Sequence, residues 1–466
     1  VSKAPEISQD LALSTFDTVW LRIDETDFDP EHGGVDWDAV RDELRPKAMS
    51  ATSNRELRAV LYDMVSRLGR SHFAVIPGEI ADQEPPPSGG ADESDDEPSD
   101  DHAHDDPHES HDHAHHDQDP DEADATDDEN EWATFGLDLR IVEHKATVVS
   151  VEPDSPAAKA GVRPGWVLES IDGGDPLASV AELREAAGPL ARYAAEAYVR
   201  ELDRGTRRRR HTLVFRDLDE QEQRLRIRRA PTRESLVKVG TLPLLPVRVE
   251  HRWLSPSELE SIDARGRRIG VIRFTTWMPS AAEPIDRAVD ELRDADGIVI
   301  DLRGNPGGFG GMVMGVGGHF VNDPISLGSM STRDTTIEFR LNPRRVTRDG
   351  RAVDPISAPL AILVDPLSAS TSEVFAGGIQ DVGRARVFGE TSAGAVLPAA
   401  MLRLPNGDVL LHAFADYHVP SGTRLEGRGV IPDQPRTLTR AALAAENDPV
   451  LMDAARWIRD SGPPVP

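Results

Sequence analysis

The chain has 466 residues, with 52 Lys and Arg, 82 Asp and Glu, no cysteine and a formal net charge of -30. Lack of cysteine excludes disulfides, thiolate zinc sites and a cysteine nucleophile. The length is too great for one core and implies two to four domains, and no run of 18 apolar residues reads as a membrane span. The charge is local: Ser71 to Glu131 holds 23 acidic and no basic residues, leaving 59 acidic against 52 basic elsewhere. Nucleic acid is therefore not an expected partner, since the basic run RGTRRRRH (204–211) is small and lies between strand-like segments.

The first residues, VSKAPEISQDLALS, lack the apolar centre of a signal peptide, which fits a cytoplasmic protein or one whose leader has been removed. Residues 8 to 70 show apolar side chains at spacings of three and four, which predicts a helical N-terminal domain over 1–78. Residues 79–131 carry almost no large apolar side chains and are expected to be a disordered insert. Seven of the 15 histidines fall between His102 and His116 among carboxylates. That composition suits a solvated linker or adventitious divalent-metal capture, but no catalytic metal or other cofactor is expected.

From Trp132 the pattern turns to strands, with SPAAKAGV and SVAELREAAG as short helical pieces, predicting a compact domain over 132–232. A linker is expected over 233–267. From 268 to 440 strands alternate with amphipathic helices, which argues for a layered α/β sheet, followed by a C-terminal helix and tail over 441–466. Two strand-end loops stand out. DLRGNPGG (301–308) has neither a GK[ST] ending nor a well-placed GxGxxG, so its glycines suit backbone N–H donation to an oxyanion better than phosphate binding. SASTSE (368–373) crowds Ser368, Ser370, Thr371 and Ser372 before a helix, where hydroxyls either cap the helix or supply a nucleophile at its positive end.

Phe135-Gly136-Leu137 followed by VVSVEPDSPAAKAGVRPGWVLESIDG (148–173) resembles a PDZ domain of the bacterial-protease type. The resemblance implies that the FGL turn offers its N–H groups to a peptide's terminal carboxylate. DLRGNPGG, SASTSEVFAGGIQD, VFGET and YHVPSGTRLEGRGVIPD together resemble the carboxyl-terminal processing, or tail-specific, protease family. The implied fold is α+β and multidomain: a helical leader, a PDZ β-barrel-like domain and a ClpP/crotonase-like α/β protease core. The implied nucleophile is Ser370, with oxyanion donors at Thr371 and at Gly307 or Gly308.

One departure bears on mechanism. Ser–Lys members of the family carry a lysine where this chain has Ala395, and no lysine follows Lys238. A serine hydroxyl without a base is a poor nucleophile. The chain is similar instead to the tricorn-type branch, which implies His72 as base, Ser71 as its link and Glu426 as the supporting acid. His319, His412 and His418 are the competing bases, and Asp381 reads as structural. The expected function is a serine endopeptidase acting on flexible polypeptides with a bias toward C-terminal ends. The rivals are an inactive PDZ scaffold and a metal-binding envelope protein that works through its His/Asp tract. The family resemblance favours the bacterial periplasm or cell envelope over the cytoplasm, and a second copy of the chain is a further candidate partner.

Overall fold

The computed structural model describes residues 6–83, 132–206, 209–242, 244–445 and 448–461. The acidic tract, with the His102–His116 cluster, lies outside the described residues. The C-terminal half of the chain is built on a six-stranded sheet in the order Val249–Trp253, Ile269–Phe274, Gly297–Asp301, Leu360–Val364, Ala385–Gly389 and Gln434–Pro435. Only the first pair is antiparallel; the other neighbours run parallel. The central strands GIVID and LAILV are apolar throughout because both faces of a parallel sheet are covered. Alternation then sends Ile298, Ile300, Leu360, Ile362 and Val364 to one core, under helices Pro279–Glu291 and Thr371–Asp381. Val299, Ala361 and Leu363 face the opposite core, which is closed by the C-terminal helix Pro449–Asp460.

The expected linker is partly core. Val249–Trp253 pairs with Ile269–Phe274 in register from Val249↔Phe274 to Trp253↔Gly270, so the sheet begins before residue 268. The exposed polar middle of VEHRW, between partly buried Val249 and Trp253, suits an edge strand, and five residues are too few to stand out in the sequence.

The N-terminal helices Gln9–Thr26, Trp37–Met49 and Asn54–Ser66 share a core around Phe16, Leu44, Leu57 and Leu61. Leu404 and Leu410 from the C-terminal half enter the same core. The link is a three-stranded sheet in which Ala74–Ile76 pairs with Val409–Ala413, itself paired with Ala399–Arg403. This pairing brings the chain just after residue 72 against the C-terminal half.

The chain that links these two parts in sequence forms a five-stranded antiparallel sheet ordered Leu137–Val142, Lys145–Val151, Val167–Ile171, Arg210–Arg216 and Glu222–Arg228. Leu137–Val142 is its edge, and helix Ala191–Glu201 packs beside that edge. The sequence reading omitted this helix; ARYAAEAYVRE is rich in alanine and other strong helix formers, which is the signal that identifies it. No described helix is long and apolar enough to cross a membrane.

Candidate active site

Leu360–Val364 is a buried strand that ends at Asp365, and helix Thr371–Asp381 begins six residues later. Ser370 occupies the turn between them with φ 54 and ψ -120, a conformation an L-residue adopts only when its surroundings impose it. A strained strand-to-helix turn of this kind lifts the serine oxygen out of the sheet and sets the next N–H beside it. The turn is held from every side. Ser370 N–H donates to Ala395 O at 2.8 Å, Ala369 N–H to Asn305 O at 3.1 Å, and Ser368 Oγ to Leu302 O at 2.8 Å. Ser372 Oγ accepts from Trp277 Nε1 at 2.9 Å and donates to Asn305 O at 3.0 Å. Among the described residues no side chain hydrogen-bonds the Ser370 hydroxyl, and Ser370 is half-buried while Ser368 and Ser372 are fully buried. Of the four hydroxyls expected here, three are consumed by the scaffold.

Glu373 does more than cap its helix. Its buried carboxylate accepts from Ser392 Oγ (2.5 Å), Gly394 N (2.7 Å), Ala395 N (2.9 Å) and Ser370 N (3.2 Å). Burial pushes its pKa up, against the pull of those four hydrogen bonds. The carboxylate thereby ties the Ser370 turn to the loop that carries Ala395. Ala395 itself lies directly beside Ser370 and presents only a methyl group.

The glycine loop stands across from the turn. Gly307 N–H donates to Asn305 Oδ1 at 3.0 Å, and Gly307 O accepts from Trp277 N at 2.9 Å. Gly308 O accepts from Thr371 Oγ1 at 2.8 Å, whereas among the described residues the N–H groups of Gly308 and Thr371 have no hydrogen-bond partner. Gly307 has φ 99, and a Cβ there would lie 2.7 Å from Ser370 Cβ and 2.9 Å from Thr371 N. Gly307→Ala is expected to destabilise the fold by roughly 1–3 kcal/mol through strain and crowding. It is also expected to lower kcat at least about a hundredfold by displacing a backbone donor. Thermal unfolding and kcat on one peptide check both effects.

His72 reaches this region from the other end of the chain. It follows the helical domain at φ 60, and its neighbour Arg70 is paired with buried Asp27, the residue that ends helix Gln9–Thr26. Ser71 N–H donates to Glu426 Oε1 at 2.8 Å and Ser71 Oγ donates to Glu426 Oε2 at 2.9 Å. Ser71 Oγ also lies 2.7 Å from His72 Nδ1. The hydroxyl has one proton, and the carboxylate takes it, so His72 Nδ1 must be the donor in the second contact. Nε2 is then the unprotonated nitrogen. Glu426 Oε2 also accepts from Val396 N at 2.9 Å, next to the residue that receives Ser370 N–H. Among the described residues, no hydrogen bond joins His72 to the Ser370 hydroxyl. Burial lowers the His72 pKa to about 4.

The three competing histidines are elsewhere. His319 Nε2 contacts Asp286 Oδ1 at 3.0 Å and His412 Nδ1 contacts Thr26 Oγ1 at 3.0 Å, both buried. His418 lies in strand Asp416–His418, and Asp381 accepts from the N–H and Oγ of Ser421. Among the described residues no group of acidic and histidine side chains is arranged to hold a metal. The FGL turn is not open: Phe135 N–H and Leu137 N–H donate to Asp203 Oδ1 at 3.1 and 2.9 Å, and Gly136 N–H to Thr134 Oγ1 at 2.8 Å. Asp203 was invisible as a candidate because it lies far from the turn in sequence.

Residues 268–436 match the model for peptidase family S41, and residues 13–66 match the tricorn protease C1 domain. Residues 268–436 are thus similar to an S41 peptidase domain. Members of this family are serine-type hydrolases. The chain is 29% identical over 224 residues to a carboxyl-terminal-processing protease of Picosynechococcus, a match covering 47% of this chain and 51% of that protein. The matched stretch thus spans about half of that relative. Mature CPAF shares the fold at a TM-score of 0.59 with 14% identity, over 98% of this chain and 99% of that one. The photosystem II D1 C-terminal processing protease does so at 0.52 with 19% identity, over 92% and 93%.

Proposed function

We propose that this chain is a serine endopeptidase that cuts unfolded or flexible polypeptides, with Ser370 as nucleophile and His72 as general base. The observation that carries the reading is the Ser71 hydroxyl, which bridges His72 and Glu426 from opposite ends of the chain beside the loop that holds Ser370. In this scheme Ser370 Oγ attacks the scissile carbonyl carbon while His72 Nε2 takes its proton. The imidazolium that forms is stabilised by Glu426 through the Ser71 hydroxyl, which accepts from His72 Nδ1–H and donates to the carboxylate. The N–H groups of Thr371, at the helix start, and Gly308 receive the oxyanion; Gly308 is preferred over Gly307 because Asn305 already occupies the latter's donor. His72 returns the proton to the leaving amine as the C–N bond breaks. Water then hydrolyses the acyl-enzyme by the same route. The missing contact between His72 and Ser370 closes when substrate orders the site, since such hydrogen bonds commonly tighten only in the Michaelis complex. The five-stranded domain serves as a PDZ-type reader of polypeptide ends.

A fluorophosphonate tests the reading directly. It should phosphonylate Ser370 and no other residue, as mapped by peptide mass spectrometry; absence of labelling on folded protein would leave only a peptide-binding scaffold. The acid limb of kcat/KM is a second check. His72 must be neutral to accept a proton, and its pKa lies near 4, so kcat/KM should fall only as pH drops through about 4. A limb near the ordinary imidazole value of about 6.5 would mean that the base is not held in this environment.

A further inference from the structure

The edge strand Leu137–Val142 carries its own substitute for a peptide. A tail added along this edge would bring a terminal carboxylate to the N–H groups of the FGL turn and a backbone carbonyl to the strand's next outward N–H groups. Both kinds of acceptor are already present within the chain. Asp203 Oδ1 accepts from Phe135 N–H at 3.1 Å and Leu137 N–H at 2.9 Å, and its Oδ2 is bound by the Thr134 hydroxyl. Thr134 Oγ1 in turn accepts from Gly136 N–H at 2.8 Å, so all three N–H groups of the turn are satisfied through one carboxylate. Further along the same edge, Ile141 N–H donates to Glu196 Oε2 at 2.9 Å. Both carboxylates are buried at 7% exposure, and burial raises their pKa values, Asp203 to about 6 and Glu196 to about 7.

We infer that Asp203 is a specificity-determining residue, a built-in carboxylate seated where a substrate's C-terminal carboxylate would bind, so that a free tail enters only by displacing it. The inference rests on the PDZ-type reading of this domain. A cavity of about 270 Å³ opens beside the seat and gives a tail an approach along four guanidinium groups, Arg200, Arg204, Arg248 and Arg273, which are interspersed with the carboxylates of Asp138, Glu152, Glu234 and Glu250. Displacement would be felt at the chemistry. Helix Ala191–Glu201 carries Glu196 and, through Arg200 Nη1, donates to Gly304 O at 2.5 Å in the glycine loop. Arg140 on the edge strand pairs with Asp365 at 2.9 Å, and Asp365 accepts from Gly304 N–H at 2.8 Å just before the Ser370 turn. The seat and the oxyanion loop are therefore braced by the same two elements.

The test is binding of a fluorescein-labelled flexible decapeptide ending in Leu-Ala-Ala, with a free carboxylate or an amide, to the full chain. Ser370→Ala serves as the background, so that the probe is not cut. Adding Asp203→Ala should tighten binding of the free-carboxylate peptide at least tenfold and leave the amide unchanged. Asp203→Asn, which keeps the acceptor oxygen without its charge and guards against a folding failure of the alanine variant, should fall between the two. Equal affinity with Asp203 present and absent would overturn the inference while leaving the domain a tail reader. An equal gain for the amide would overturn it too. No binding by any of the proteins would remove the PDZ-type reading and the inference with it.

Discussion

Ser370→Ala is expected to lower kcat on a quenched flexible peptide by about a millionfold, the scale at which loss of a serine nucleophile removes covalent catalysis. Stability should hardly change. The Ser370 backbone bonds to Ala395 O and Glu373 do not involve its hydroxyl, and among the described residues no side chain depends on that oxygen. Turnover and thermal unfolding measured on one preparation separate the two outcomes. A variant that keeps its melting temperature and more than about a thousandth of wild-type kcat would exclude Ser370 as nucleophile, because the oxyanion donors alone leave far less.

His72→Ala is expected to cost nearly as much, and the double variant with Ser370→Ala should be no worse than either alone. Nucleophile and base act as a unit, so removing one leaves nothing for the other to do. Additive losses would place His72 outside the reaction. The variant tests geometry as well as identity, because His72 has no hydrogen bond to Ser370 in the free protein. If closure on substrate is what brings them together, His72→Ala should depress kcat far more than it alters KM. A rise confined to KM would instead assign His72 to substrate binding.

The C-terminal half was readable because its physics is local. GIVID and LAILV are unbroken apolar strands, the glycines and serines follow directly at the strand ends, and both loops fall at the same end of a parallel sheet. The N-terminal helices were equally plain from their three-and-four spacing. Helix Ala191–Glu201 and strand Val249–Trp253 were missed: the first is an alanine-rich run whose buried residues are Ala195, Glu196 and Val199, so few large apolar side chains mark its face, and the second is five residues of edge strand. Glu373 read as a helix cap because its other partners, Ser392, Gly394 and Ala395, come from a loop some twenty residues away.

Residue identity by itself determined what chemistry is available. There is no cysteine and no lysine after Lys238, while one serine-rich turn follows a buried strand. Tertiary structure alone decided which of those groups meet. Pairing of Ala74–Ile76 with Val409–Ala413 carries Ser71 and His72 to Glu426 across a separation of 355 residues. Folding of the small domain sets Asp203 in the FGL turn, and its packing on the core sets Arg200 on the glycine loop. Spacing along a chain reports only local periodicity; contacts between distant segments arise when buried faces and unpaired strand edges are satisfied by one another, and that selection is made only in the folded state.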